Sequence, residues 1–245
     1  MDFTVPASLK ATLRGYQVDG YQWLGSLEHL GLGGILADDM GLGKTLQMIV
    51  HILARVEAGD TKPTLVVCPA SLVYNWAAEL ERFAPSLDVC AIVGAKAQRR
   101  VQIAGAAEHN VVVTSYDLMR RDIDEYVEQD FARVVLDEAQ YIKNRSPRWR
   151  VPPRLPAGVR FALTGTPIEN RLSELWSIFD FLMPGLLGTR ESFASASKGR
   201  RARRGRQRRS SAGTRVAVCT APCQGRRGGR SARKDRGHCR GSAHR

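Results

Sequence analysis

The stretch Asp39-Met40-Gly41-Leu42-Gly43-Lys44-Thr45 follows a short apolar run and opens a helix-patterned one. That is the setting a phosphate-cradling loop requires. Gly41 and Gly43 lack a Cβ, so the backbone can turn tightly there and aim its N–H groups at phosphate oxygens. A helix starting near Lys44 adds the positive end of its dipole, Lys44 reaches toward β- and γ-phosphates, and the Thr45 hydroxyl suits Mg²⁺. The pattern G-x-x-x-x-G-K-[ST] is incomplete, because Asp38 stands where the first glycine belongs. A Gly-rich strand-to-helix turn with a solvated lysine is the competing reading, so a second element must decide the chemistry.

That element is Arg133-Val134-Val135-Leu136, a short buried-strand pattern ending in Asp137-Glu138-Ala139-Gln140. Open α/β sheets place ligands at the carboxyl ends of their strands. A carboxylate there faces a phosphate loop across the strand tips, with Asp137 suited to hold Mg²⁺ through water and Glu138 to polarise an attacking water. A third block, Phe161-Ala162-Leu163-Thr164-Gly165-Thr166-Pro167, again runs from an apolar strand into small polar residues. Thr164 and Thr166 are placed to hydrogen-bond the acidic cluster and report the phosphate state. An ordinary strand turn, with Pro167 starting the next helix, is the alternative for this block.

Strand-like runs near Gly34–Ala37, Thr64–Cys68, Val89–Val93, Val111–Thr114, Val134–Leu136 and Arg160–Leu163 must position these residues. They alternate with helix-patterned stretches near Tyr16–Leu30, Thr45–Glu57, Leu72–Phe83 and Arg171–Leu182. Such alternation predicts an α/β fold, a single RecA-like P-loop lobe with a mainly parallel sheet flanked by helices. Trp23, Leu24 and Leu27 share one face of the first helix and read as core. Trp76, in line with Leu72, Leu80 and Phe83, also reads as packing. Ser71 and Asn75, at the start of that helix, are better placed to meet a DNA phosphate without reading sequence.

In this order the blocks closely resemble the SWI/SNF-type ATPases, the double-stranded-DNA translocases of helicase superfamily two. Leu13-Arg14-Gly15-Tyr16-Gln17 with Gly20-Tyr21-Gln22-Trp23-Leu24 is similar to the family's entry segment, which implies that Gln17 contacts adenine. Gly34 to Gln47 is similar to its nucleotide signature, in which Asp38 is normal. Leu65 to Leu72 with Asn75, Trp76 and Glu79 resembles a DNA-backbone motif, and Val113-Thr114-Ser115-Tyr116 the next, which implies that Thr114 also lies near DNA. Gln140 stands where most members carry His, in a coupling position. Leu163 to Asn170, then Leu172, Glu174-Leu175-Trp176 and Phe179 to Leu182, completes the set over about residues 9 to 190. The resemblance implies an ATP-binding lobe with Lys44, Asp137 and Glu138 as catalytic residues, and Gln17, Gly41, Gly43, Lys44 and Thr45 contacting ATP. Thr45 and Asp137 would hold Mg²⁺, and Gln140, Thr164 and Thr166 would couple its state to movement. Double-stranded DNA is the implied partner, with transcription or other DNA-bound protein complexes as its targets.

Charge is unevenly spread. Through Arg190, 20 Lys and Arg face 22 Asp and Glu, giving −2; from Glu191 onward, 17 face 2, giving +15, and the two parts sum to the net +13. With 43% hydrophobic residues the chain can bury a sizeable core. It contains no apolar run of about eighteen residues to span a membrane. Met1-Asp2-Phe3-Thr4-Val5-Pro6 has neither the basic start nor the apolar centre of a secretory signal. A cytoplasmic protein is expected, nucleoid-associated if bacterial, with Cys68 and Cys90 as reduced, packed thiols. Cys219, Cys223, His238, Cys239 and His244 fit no common finger spacing, so no zinc is expected.

Two domains are expected, an ATP-binding lobe over 1–193 and a disordered basic tail over 194–245. The tail is rich in Arg, Gly, Ser and Ala and has too little aliphatic surface to offset ordering entropy. A continuous helix is replaced by a loop at Asn144 to Pro153, where three prolines fall. The resemblance would continue into a second lobe bearing an arginine finger, and no such match follows Phe193. The tail is either a nucleic-acid tether or the product of a shifted reading frame, the second being favoured by its scattered Cys, His and Val. The expected behaviour is ATP binding with very slow hydrolysis by the isolated chain. Two rivals are a non-enzymatic nucleic-acid binder acting through the tail and a P-loop ATPase of another remodelling machine.

Overall fold

A computed structural model of the chain describes residues 3–39, 41–142, 155–165, 172–193, 195 and 218–219. Its strands are β1 (Gly34–Leu36), β2 (Thr64–Cys68), β3 (Val89–Ala91), β4 (Val111–Ser115), β5 (Phe131–Leu136), β6 (Ala157–Leu163) and the two-residue β7 (Val218–Cys219). They form one sheet in the order β3-β4-β2-β5-β6-β1-β7, and every described pair is parallel. The expected loop at 144–153, Thr166, Pro167 and most of the tail lie outside the described residues.

Val, Ile and Leu dominate β1, β2, β4 and β5 on both faces because both faces are covered, as parallel sheets require. On one face α1 (Gly15–His29), α2 (Lys44–Glu57) and α3 (Val73–Phe83) pack Leu24, Ile49, Ile52, Trp76 and Leu80 against Leu36, Val66, Val113 and Leu163. On the other, α4 (Lys96–Ala104), α5 (Tyr116–Arg121), α6 (Ile123–Tyr126) and α7 (Leu172–Leu182) bring Ile103, Met119, Tyr126, Ile178 and Phe179 to Ile35, Leu65, Val112 and Ala162. Successive strand residues thus feed opposite cores, the period-two consequence of the pleat.

The strand order sets the site. β6 lies between β1 and β5, so the residues leaving the carboxyl ends of these three strands, Ala37 onward, Thr164 onward and Asp137 onward, emerge side by side.

Buried charges account for what the expected elements missed. β5 begins at Phe131 rather than Val134, and it carries a fully buried Arg133 whose guanidinium meets Glu28, Asp60 and Thr64. α4 was not expected, because its buried face presents Arg99 where an aliphatic residue is the usual sign. Arg99 pairs with Asp122 at 2.5 and 2.9 Å and donates to the Gly94 carbonyl at 2.6 Å.

Candidate nucleotide site

Gly41 (φ 82°) and Gly43 (φ 76°) both occupy the left-handed region that L side chains avoid. A Cβ at Gly41 would meet no atom within 4 Å, whereas one at Gly43 would come 2.5 Å from Nε2 of Gln17. Gly41 is therefore required for conformation, and Gly43 for conformation and space. Gly43 is also the N-cap of α2 and supplies no capping side chain. The first turn of the helix thus presents N–H groups that have no acceptor within the helix, which is what an anionic phosphate uses. The Lys44 ammonium donates to the carbonyls of Asp38 (2.8 Å) and Asp39 (3.1 Å), and so folds back over the loop.

Gln17 anchors the loop from outside. Its Nε2 donates to the Leu42 carbonyl at 3.1 Å, and its Oε1 accepts from the Arg14 backbone N–H at 2.9 Å. The residue nominated for adenine thus ties α1 to the phosphate loop. Asp38, where the strict pattern has glycine, is buried and accepts from Nε2 of Gln47 at 3.0 Å. Its carboxylate joins the loop to α2, a role glycine has no side chain to fill.

Across the strand tips, Asp137 is 7% exposed. Its backbone N–H donates to the Val67 carbonyl at 2.9 Å, its carbonyl accepts from the Tyr116 hydroxyl at 2.8 Å, Oδ1 accepts from the Glu138 N–H at 2.9 Å, and Oδ2 accepts from Nε1 of Trp76 at 2.8 Å. Burial pushes the Asp137 carboxyl above the ordinary carboxylate range, against the pull of the Trp76 and Glu138 N–H groups and of the Lys44 charge. The same burial, with Asp137 adding to it, pushes the Cys68 thiol up to about 12, so it stays protonated and packed.

Glu138 has φ 49°, the one positive value for a non-glycine among the described residues. Such strain concentrates at functional sites because the surrounding structure must hold it in place. Its side chain is held through a relay: Nε2 of Gln140 donates to Glu138, and the Thr164 hydroxyl donates to Oε1 of Gln140 at 2.8 Å. The Thr164 N–H in turn donates to the Leu36 carbonyl at 3.1 Å. A continuous path of hydrogen bonds therefore runs from the end of β1 through Thr164 and Gln140 to Glu138.

The remaining nominated residues divide. Ser71, in the turn that precedes α3, and Asn75, in its first turn, are exposed, and Asn75 donates to Glu79 at 3.0 Å. Thr114 differs from expectation: it is fully buried inside β4, with its side chain beside Tyr126, and a duplex cannot reach it in this structure. Both faces of the sheet are covered at β4, so Val113 and Thr114, although they point to opposite sides, are both fully buried. Trp76 and Tyr116, read as packing and as motif text, are found hydrogen-bonded to Asp137. Their signal was present, since a buried Trp or Tyr needs an acceptor for its polar tip.

The glycine cradle, the cation and the buried carboxylate fit a magnesium nucleotide. Thr45, partly buried at the second position of α2, and Asp137, at the end of β5, are the residues whose oxygens would hold it. Hard cations such as Mg²⁺ take one or two such groups plus phosphates.

The pattern described as the SNF2-related domain matches residues 16–214. The TATA-binding protein-associated factor mot1 of Schizosaccharomyces pombe is 45% identical over 204 residues, 78% of this chain and 10% of that protein. The putative ATP-dependent helicase/translocase YwqA of Bacillus subtilis is 45% identical over 192 residues, covering 77% of this chain and 21% of its own length. Among solved structures, the Sulfolobus solfataricus SWI2/SNF2 ATPase core in complex with dsDNA superposes with a TM-score of 0.73 at 38% identity, over 81% of this chain and 42% of that one. The chain therefore spans a tenth to a fifth of these two protein relatives.

Proposed function

The chain belongs to the SNF2-related domain family, and from that premise we propose that it is the ATP-binding lobe of a DNA-dependent ATPase that moves along double-stranded DNA to remodel nucleoprotein complexes. The observation that carries this reading is the convergence of the Gly41–Thr45 turn and the Asp137-Glu138 pair at the ends of β1 and β5, with β6 between them.

In this reading, the α2 N-terminus and Lys44 bind the triphosphate. Gln17, already placed against Leu42, contacts adenine. Thr45 and Asp137 hold Mg²⁺, which when bound neutralises charge on the phosphate oxygens. Glu138 orients the attacking water and accepts its proton on its carboxylate, while Gln140 and Thr164 keep that carboxylate in place. Ser71 and Asn75 meet the phosphate backbone of the duplex, positioning it without reading sequence. Residues 1–193 would form the lobe and 194–245 a separate basic segment.

The TATA-binding protein-associated factor of Schizosaccharomyces pombe and the putative ATP-dependent helicase/translocase of Bacillus subtilis are each 45% identical to this chain, which supports the ATPase reading without favouring one target.

Lys44→Ala tests the nucleotide site. It removes a charged donor to phosphate, each such bond contributing about 1.5–3 kcal/mol. Titration with a fluorescent ATP analogue should show affinity falling by roughly 10- to 100-fold. Unchanged affinity in a folded variant would refute the assignment.

A further inference from the structure

Asp137 has a backbone fixed by two neighbouring elements and a side chain that a single other element reaches with a hydrogen bond. The Val67 carbonyl and the Tyr116 hydroxyl hold its N–H and C=O, and the Glu138 N–H holds Oδ1 from the same strand end. What reaches the carboxylate from another element is the indole of Trp76, on α3. Trp76 is 1% exposed and lies in the core with Leu80, Val66 and Val113. Packing alone would be met by any large apolar ring, but an indole buried this far needs an acceptor for its N–H. That acceptor is the proposed metal-binding carboxylate.

We propose that Trp76 is a positioning residue for Mg²⁺: its N–H, 2.8 Å from Oδ2 of Asp137, fixes the rotamer in which that carboxylate meets the metal. This rests on the nucleotide reading above and deepens it. One N–H on each oxygen leaves each a further lone pair, so the bond orients the ligand without using it up. Hydrogen bonds to metal-binding side chains from groups that do not touch the metal typically change affinity by 10- to 100-fold when removed. α3 also turns Asn75, in its first turn, to solvent, and Ser71 is exposed in the short turn that leads into it. The helix nominated to meet DNA is therefore the one that sets the metal carboxylate.

The test is Trp76→Phe in the full chain, with Trp176→Phe as control. Trp176 also donates its N–H, to the Gly188 carbonyl at 3.2 Å, and its bond has no connection to Asp137. A fluorescent ATP analogue is titrated first in EDTA and then with increasing Mg²⁺. In Trp76→Phe the analogue affinity in EDTA should stay within about twofold, while the Mg²⁺ midpoint rises by about tenfold. Trp176→Phe should leave both unchanged. A folded Trp76→Phe with an unaltered Mg²⁺ midpoint overturns the proposal, and so does a loss of affinity that is equal with and without Mg²⁺, which would mark Trp76 as packing alone. If Trp76→Phe does not fold, the unmodified chain with ¹⁵N-labelled indoles serves: adding Mg²⁺ to the analogue complex should move the Trp76 N–H resonance, and a stationary resonance overturns the proposal. Failure of the unmodified chain to bind the analogue under any Mg²⁺ concentration would instead remove the nucleotide reading, and this proposal with it.

Discussion

Glu28→Ala should destabilise the lobe by about 3–5 kcal/mol, read as a lower urea midpoint with unchanged slope. Glu28, at the end of α1, holds His51 of α2 at 2.5 Å and both Nε and Nη2 of Arg133 at 2.8 Å. Arg133 sits in the sheet with its side chain 1% exposed, and Asp60 and Thr64 complete its shell. Removing Glu28 leaves a buried guanidinium with one carboxylate where it had two, and breaking a buried pair from one side costs far more than the pair is worth. Burial by itself would raise the Glu28 carboxyl, but the His51 ring and Arg133 outweigh it and hold the group at about 2. Its folded value lies below the ordinary 4.5, so its contribution is complete above that pH and disappears as pH falls through about 2. His51 adds to the same trend: burial holds its pKa below the ordinary 6.5, so acidification below that value favours the unfolded chain, which takes up the proton more readily. Acid unfolding of the unmodified chain should therefore be steeper than that of Glu28→Ala. Equal stability of the two proteins at pH 7 would show that this cluster does not hold α1 and α2 to β5.

Glu138→Gln should lower single-turnover ATP hydrolysis by about 10²- to 10⁴-fold while nucleotide affinity changes little. The substitution keeps the shape of the side chain and its contact with Gln140, and removes the carboxylate that accepts the proton. Gln140 and Thr164 fix that carboxylate from the β6 side, and the strained backbone at φ 49° leaves it few alternative directions. The measurement is made with chain in excess over labelled ATP, with and without duplex DNA. A hydrolysis rate equal to that of the unmodified chain would take Glu138 out of the reaction.

Much of this was legible from the residues because the relevant signals are local. Glycines that need positive φ, an apolar strand ending in carboxylates and a helix-patterned run after Lys44 all fall within a few residues of one another. The strand order follows less directly, yet alternation of strands and helices predicts a parallel sheet whose carboxyl ends share one edge, and that is found. What escaped were features made by residues far apart in sequence. Arg133 looked like the edge of a strand because a charge is expected outside, and only the distant Glu28 and Asp60 make it an interior residue. Arg99 hid α4 in the same way, its partner Asp122 lying beyond the helix. Trp76 carried the right apolar spacing, so its face was read correctly; the destination of its N–H, 61 positions away, is a tertiary fact. Thr114 differs for a simpler reason, since helices cover both faces of the sheet and leave every residue of β4 buried.

The account depends on one magnesium nucleotide being shared by the glycine turn and the acidic pair. The most direct test is a crystal structure of the chain with a non-hydrolysable ATP analogue and Mn²⁺, using anomalous scattering to locate the metal. The account predicts triphosphate oxygens on the backbone N–H groups of Gly41 to Thr45 and on Lys44, with the metal between the Thr45 hydroxyl and Asp137. A nucleotide held elsewhere, or a metal on the phosphates but remote from Asp137, would contradict it.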